Sequence, residues 1–297
     1  MRLSHRIVLP RRRGRIKKLP RAQHPAGIER TWARLIRGLT IVPLRALARG
    51  IVLTRLPQLV RDHPAAVIQR DHQDADPEDP IDNLVGQIRI EYQRAVPKET
   101  IRRAALRTAF DTVDRNQKQL DAQIHAVFGV DPLATEPWMG AFLADRSRAN
   151  AEEVDGVPER YLTDLARAIR EGISGGMSTD SIAADITENF LSDDGEDVGK
   201  AERRGDFIAR DQVASLNSDI SRIRQQAIGV ERYRWRTALD ERVRAEHRER
   251  EGQIFEWADP PEDGAPGIPP NCRCTAEPVL EDLLADDALL ADDATEE

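Results

Sequence analysis

Aromatic side chains are scarce in this chain: Phe, Trp and Tyr make up 4% of 297 residues, and apolar residues of all kinds reach only 40%. With 32% charged residues, the chain is leaner in core formers than a typical globular protein, so parts of it lack the apolar surface that packing requires. Cysteine is scarcer still, and the two present, Cys272 and Cys274, exclude a disulfide framework. No run approaches the roughly 18 uninterrupted apolar residues of a membrane-spanning helix. Met1 to Lys18 also lacks the compact apolar region of a secretory signal, so the chain is expected to start life in a cytoplasm. Acidic residues are nearly absent at the start. Met1 to Arg70 holds 17 Lys plus Arg against 2 acidic residues, a charge of +15, while the remainder carries -23. Such polarity points to a basic arm that meets nucleic acid or an acidic surface.

The length is enough for about two domains. Residues 1–70 read as the basic arm, and its start, from Arg2 to Arg21, is too repulsive to pack and is expected to be disordered. Within that start, Arg11, Arg12, Arg13, Arg15, Lys17 and Lys18 are the candidates for contact with DNA or an acidic partner. Further on, Trp32, Leu35, Ile36 and Leu39, then Leu44, Leu47, Ile51 and Leu56 after Pro43, return at helical spacing with Arg34, Arg37, Arg45, Arg49 and Arg55 between them. A basic amphipathic helix of this kind lies on a membrane, docks on a partner, runs along phosphates, or packs on its own domain. An acidic, Pro-containing linker covers 71–82.

Residues 83–157 read as helical, with one helix opened by Pro97 and Lys98 and closed by Gly129, and a second over Trp138 to Glu153. A domain over 158–280 follows. Pro158 stands at a helix start, with Leu162, Leu165, Ile169 and Ile173 on one stripe up to Gly175-Gly176. Ser178 or Thr179 caps a helix carrying Ile182, Ile186 and Phe190. After a low-apolar stretch from Ser192 to Lys200 comes the clearest helix, with Ala209, Val213, Leu216, Ile220, Ile223 and Ala227 on one face and Gly229 at its end. The period then drops to two. Tyr233 and Trp235 alternate with Arg232, Arg234 and Arg236 as a half-buried strand, Ile254, Phe255 and Trp257 suggest a second, and Cys272 to Val279 a third. Residues 281–297 form an acidic tail; from Glu277 onward nine side chains are acidic and none is basic. The fold class expected is α+β: a mainly helical body followed by a small C-terminal α+β unit with a short antiparallel sheet.

Cys272 and Cys274, two apart in a strand, project from one face, so both sulfurs can reach one metal ion. A disulfide between them would be strained. Asp240 and His247 are seven apart, on one face if their segment is helical. These four side chains make a tetrahedral set that suits zinc. Two other readings stay open: the cysteines as small buried hydrophobes with His247 bonded to a carbonyl or to Asp240, and His247 as a general acid or base with Arg242 or Arg244 holding an anion, as in a nuclease. There is no glycine-rich phosphate loop and no nucleophile elbow in the sequence. The arginines 232, 234 and 236 could meet DNA or an acidic partner, or simply face solvent. Asp259 to Pro270, with five prolines and two glycines, is a loop.

These pieces have a recognisable order. A helix carries Arg210, Asp211 and Asn217; a strand carries Trp235; Asp240, Arg242 and His247 follow as D-x-R-x-x-x-x-H; then come Gly252 and the closing Cys272-Arg273-Cys274. Over roughly residues 158 to 278 the sequence resembles the phage Mu F-like, or phage head morphogenesis, family of minor capsid proteins. It departs from the pattern at Arg210-Asp211-Gln212, where the family has arginine, a small residue and glutamate. The resemblance implies a non-enzymatic minor head protein, located in the virion and in the host cytoplasm during assembly. Its implied partners are the portal protein, capsid or scaffold proteins, and packaged double-stranded DNA. Some proteins carrying such domains are fused to toxins, which keeps a phage-delivered nuclease as the alternative.

Overall fold

A computed structural model describes residues 19–62, 79–129, 136–281 and 283. Arg11, Arg12, Arg13, Arg15, Lys17 and Lys18 lie outside the described residues, as does the acidic tail beyond residue 283. Two compact units are present: one from Met1–Glu29, Arg107–Arg146 and Arg210–Glu297, the other from Arg30–Leu106 and Ser147–Ala209. The architecture is mainly helical, with one three-stranded antiparallel sheet near the C-terminus, as the periodicity implies. Among the described residues no helix is long and apolar enough to cross a membrane.

In the unit that spans 30–106 and 147–209, α1 (Ala26–Leu39) and α2 (Ile41–Asp62) bury Trp32, Ile36, Leu44, Ala48, Val52 and Leu56. The break between them falls at Thr40, whose hydroxyl donates to the Ile36 carbonyl at 2.7 Å. Pro43 lies within the first turn of α2, where its missing N–H has no intrahelical partner to lose. This stretch packs on its own unit: α2 lies against α3 (Pro80–Ala95), α6 (Thr179–Ile186) and the π-helical turn Thr187–Leu191 that continues α6. Its arginines are engaged there. Arg49 donates to the Leu191 carbonyl at 2.6 Å and Arg45 to that of Ser192 at 3.3 Å, satisfying carbonyls that the turn's end would leave without donors. Arg37 pairs with Glu202 at 3.3 Å.

Three expected boundaries shift. The segment read as a linker to residue 82 gives way to helix at Pro80, because Asp79 accepts hydrogen bonds from the Ile81 and Asp82 amides and Pro80 suits a first helical position. Pro158 does not start a helix: α5 runs unbroken from Met139 to Ser174 with Pro158 inside it. Val154, Val157, Tyr161 and Leu165 are all buried, so the apolar stripe continues through the proline, and its packing outweighs the lost hydrogen bond. The long helices end where expected. Gly129, Gly176 and Gly229, at φ 70, 71 and 86, follow α4 (Lys98–Phe128), α5 and α7 (Glu196–Ala227). The stretch before α7 is shorter than expected, since Glu196 and Asp197 already form its first turn and suit the positive end of its dipole.

In the other unit, β1 (Arg232–Arg236) lies between β2 (Ile254–Glu256) and β3 (Thr275–Pro278), antiparallel to both. Tyr233 pairs with Phe255 on one side and Pro278 on the other. Tyr233 and Trp235 are fully buried, with Trp257, Cys272, Cys274 and Ala276 beside them. A second cluster joins Leu120, Ile124, Val127 and Phe128 of α4 to Ile228, Val230 and Leu280, with Leu19 and Leu283 packed against it. A polar seam links α4 to α7, in which Asn116 donates to Asn217 Oδ1 at 3.0 Å and to Ser221 Oγ at 2.8 Å. The disorder expected as far as Arg21 does not extend that far. Gln123 donates to the Pro20 carbonyl at 2.9 Å, Thr275 to that of Ala22 at 3.1 Å, and Arg21 pairs with Glu251 at 3.0 Å.

Candidate metal centre

Gly252 closes the β1–β2 hairpin by donating its N–H to the Trp235 carbonyl, and short helix α8 (Ala245–Glu249) sits within that connection. This helix carries His247, 2% exposed, with its ring edge-on to the Trp235 indole at 5.1 Å. From the far side of the Pro-rich loop, Cys272 and Cys274 arrive just ahead of β3 rather than inside a strand. Both sulfurs nevertheless lie 3.6 Å from His247 Nδ1. The other ring nitrogen, Nε2, is 2.9 Å from Asp263 Oδ2, and Arg250 binds the second oxygen of that carboxylate at 2.6 Å while stacking over Trp235 at 5.0 Å.

Three of the four residues expected to share a metal are thus together, and Asp240 is not among them. Arg273, between the two cysteines in sequence, takes both Asp240 oxygens, at 2.8 and 2.7 Å. The one-face argument for Asp240 and His247 fails because the segment is not one helix: Asp240 lies in a turn, accepting from the Arg242 amide, and α8 begins only at Ala245. The side chain that meets His247 is Asp263. Its sole sequence signal is an acid between Pro261 and Gly264 in a loop.

Charge around the cluster is arranged by named neighbours. The Cys272 thiol is pushed down by the hydrogen bond from the Cys274 thiol, against the cost of burial, and the amides of Cys274 and Gly267 aim at the same sulfur. Cys274 is pushed up as the donor of that bond and by burial. Burial raises Asp263, but His247 and Arg250 outweigh it and hold the carboxyl below its usual value. The Arg273 guanidinium likewise lowers Asp240.

The approach to the cysteines is gripped from two elements. Arg210 of α7 donates to Asn271 Oδ1 at 2.7 Å, and Arg244 donates to the Pro270 carbonyl. Asn271 stands at φ 60, left-handed backbone that Asn tolerates better than most residues. Asn271→Ala loses the bond and keeps the strain, so it lowers stability by about 1–2 kcal/mol; Asn271→Gly in the same urea titration recovers the backbone part. Arg210 also meets an acid that sequence reasoning missed. Glu29 of α1 binds it at 3.1 Å, supplying from another helix the carboxylate that Gln212 does not. Of the other motif residues, Asn217 is buried in the seam, Trp235 lies under the cluster, and Arg242 lines a small cleft with Ala238, Val243, Arg244, Asn271 and the three ligand candidates.

Glu251 closes the sheet side of the unit. It accepts from the Thr237 amide at 2.7 Å, the Thr237 hydroxyl at 2.8 Å, and Arg21. Burial raises its carboxyl, but these donors hold it below its ordinary 4.5. A carboxyl depressed in the folded state stabilises fully above its unfolded value and loses that contribution as pH falls through the folded one. The fold therefore weakens as pH falls from the ordinary carboxyl range through the lower folded value, and Glu251→Gln should make that acid-dependent loss shallower in urea unfolding at a series of pH values.

Residues 163–277 match the family model described as Phage Mu protein F like protein. A protein of Haemophilus influenzae, described as an uncharacterized protein, is 38% identical over 134 residues, 44% of this chain. That stretch is 28% of the relative's own length, so the chain corresponds to well under two thirds of it. No solved structure matches the chain.

Proposed function

We propose that the chain is a minor head protein of a tailed phage or prophage, incorporated into the procapsid and bound to the portal during head morphogenesis. The observation that carries this reading is the match of residues 163–277 to the Mu F-like family. The geometry supports a structural role within that segment. Arg210, Asn217, Trp235, Arg244 and Arg273 each hold another part of the same unit, and His247 is buried with both ring nitrogens facing protein groups. A general acid or base must instead reach its substrate, so the nuclease-like alternative has less support. Capsid or scaffold proteins are the neighbours such a role requires, with the head interior as the final location.

The cationic residues Arg11 to Lys18 supply the second part of the reading, contact with packaged DNA by displacing counterions from phosphates. Quantitative mass spectrometry of procapsids, filled heads and the soluble fraction from an induced lysogen tests the assembly role. Recovery in procapsids at a fixed low ratio to the portal is the expected result, and confinement to the soluble fraction would refute it. Duplex binding by the full chain should fall steeply with salt and vanish on deleting residues 1–18; salt-insensitive binding would remove the DNA contact from the reading.

A further inference from the structure

We propose that His247 Nδ1, Cys272 Sγ and Cys274 Sγ bind one zinc ion, with a water from the adjoining cleft as the fourth ligand. Such a site is independent of any role in head assembly. His247, Cys272 and Cys274 each offer one ligand atom, and all three atoms lie within 4.8 Å of one another in a buried site. Tetrahedral zinc with bonds of about 2.3 Å to sulfur and about 2.0 Å to nitrogen places those ligands about 3.5 Å apart. Both sulfur-to-nitrogen distances here are 3.6 Å. Hydrophobic burial alone gives two thiols no reason to converge on one imidazole nitrogen at that spacing.

The surroundings match a ligand set rather than a packed core. Asp263 at Nε2 fixes the ring proton on that nitrogen and turns the Nδ1 lone pair toward the sulfurs, the usual arrangement behind a zinc-bound histidine. Cys272 Sγ receives backbone N–H groups from Gly267 at 3.3 Å and Cys274 at 3.4 Å, donors suited to a thiolate. Only glycine can deliver the first of these. Gly267 stands at φ 92, and a β-carbon there would meet the Ala214 carbonyl oxygen at 2.8 Å. Two soft thiolates with one imidazole select zinc over oxygen-seeking magnesium or calcium. As the two metal–sulfur bonds form, each thiol releases its proton to solvent, the imidazole binds neutral, and the two thiolates balance the ion's charge. The cleft lined by Arg242, Arg244 and Asn271 leaves the fourth corner open to water.

The test uses the full chain, stripped of metal under reducing conditions and titrated with cobalt(II), then with zinc. One equivalent of cobalt should produce the near-ultraviolet thiolate-to-metal absorption of two sulfurs, and one equivalent of zinc should abolish it. Cys272→Ser, Cys274→Ser and His247→Ala should each weaken binding at least about tenfold, and Asp263→Asn about tenfold. If the cysteine variants fail to fold, the unaltered chain still decides: zinc must shield both thiols from alkylation and a chelator must expose them. Absence of the absorption in a chain with native circular dichroism, equal alkylation with and without zinc, or a mass two hydrogens lighter from a Cys272–Cys274 disulfide would each overturn the site.

Discussion

Trp235→Ala is expected to lower stability by about 3–5 kcal/mol, the range for truncating a large aromatic in a well-packed interior. Trp235 is fully buried on the central strand of the sheet, with Phe255 edge-on at 5.9 Å, His247 edge-on at 5.1 Å and the Arg250 guanidinium over its ring at 5.0 Å. Removing it therefore takes away the surface against which α8 and the hairpin rest. Trp235→Phe should cost much less, because most of the volume stays and the indole nitrogen makes no hydrogen bond to lose. Chemical denaturation of the two variants separates volume from polarity; equal losses would show that the indole nitrogen matters more than the packing.

Arg224→Met should cost a similar amount, about 3–5 kcal/mol, for an electrostatic reason. The Arg224 side chain is 5% exposed and forms a two-toothed pair with Glu136, both contacts at 2.7 Å. It also donates to the Val113 carbonyl at 3.1 Å and to Asn116 Oδ1 at 2.9 Å. Cutting it away leaves a half-buried carboxylate with no counter-charge, which is worse than having neither partner. Arg224→Met combined with Glu136→Leu should regain much of the loss. Recovery stays incomplete because Asn116 Oδ1 and the Val113 carbonyl still lack their donor. A double variant as unstable as the single one would place the energy in those two hydrogen bonds instead of in the ion pair.

Much of the fold was legible because long helices and a hairpin write their periods directly into sequence. The stripe Ala209 to Ala227 gave α7, and the alternation of Tyr233 and Trp235 with three arginines gave β1, since each element has a single buried face. Pro158 reads as a helix start because, within helices, proline is favoured at the first position, and only the continuity of Val154, Val157 and Tyr161 around it reveals the unbroken α5. At the candidate site, Cys272, Cys274 and His247 could be found because so few residues of their kinds exist. The acid beside His247 could not. With 52 acidic residues and an irregular loop from Asp259 to Pro270, no spacing rule separates Asp263 from Asp240. Loop closure, which period cannot encode, decides between them. Glu29 was hidden for the same reason, as its partner Arg210 lies 181 residues away.

Leu19 and Leu283 rest on one apolar cluster formed by α4 and the segments around Ile228 and Leu280. In sequence, the cationic and acidic extremes stand at opposite poles of the molecule. In space, their points of attachment are neighbours. Leu19 and Leu283 therefore share one support, and truncating either side chain loosens the apolar surface on which the other rests.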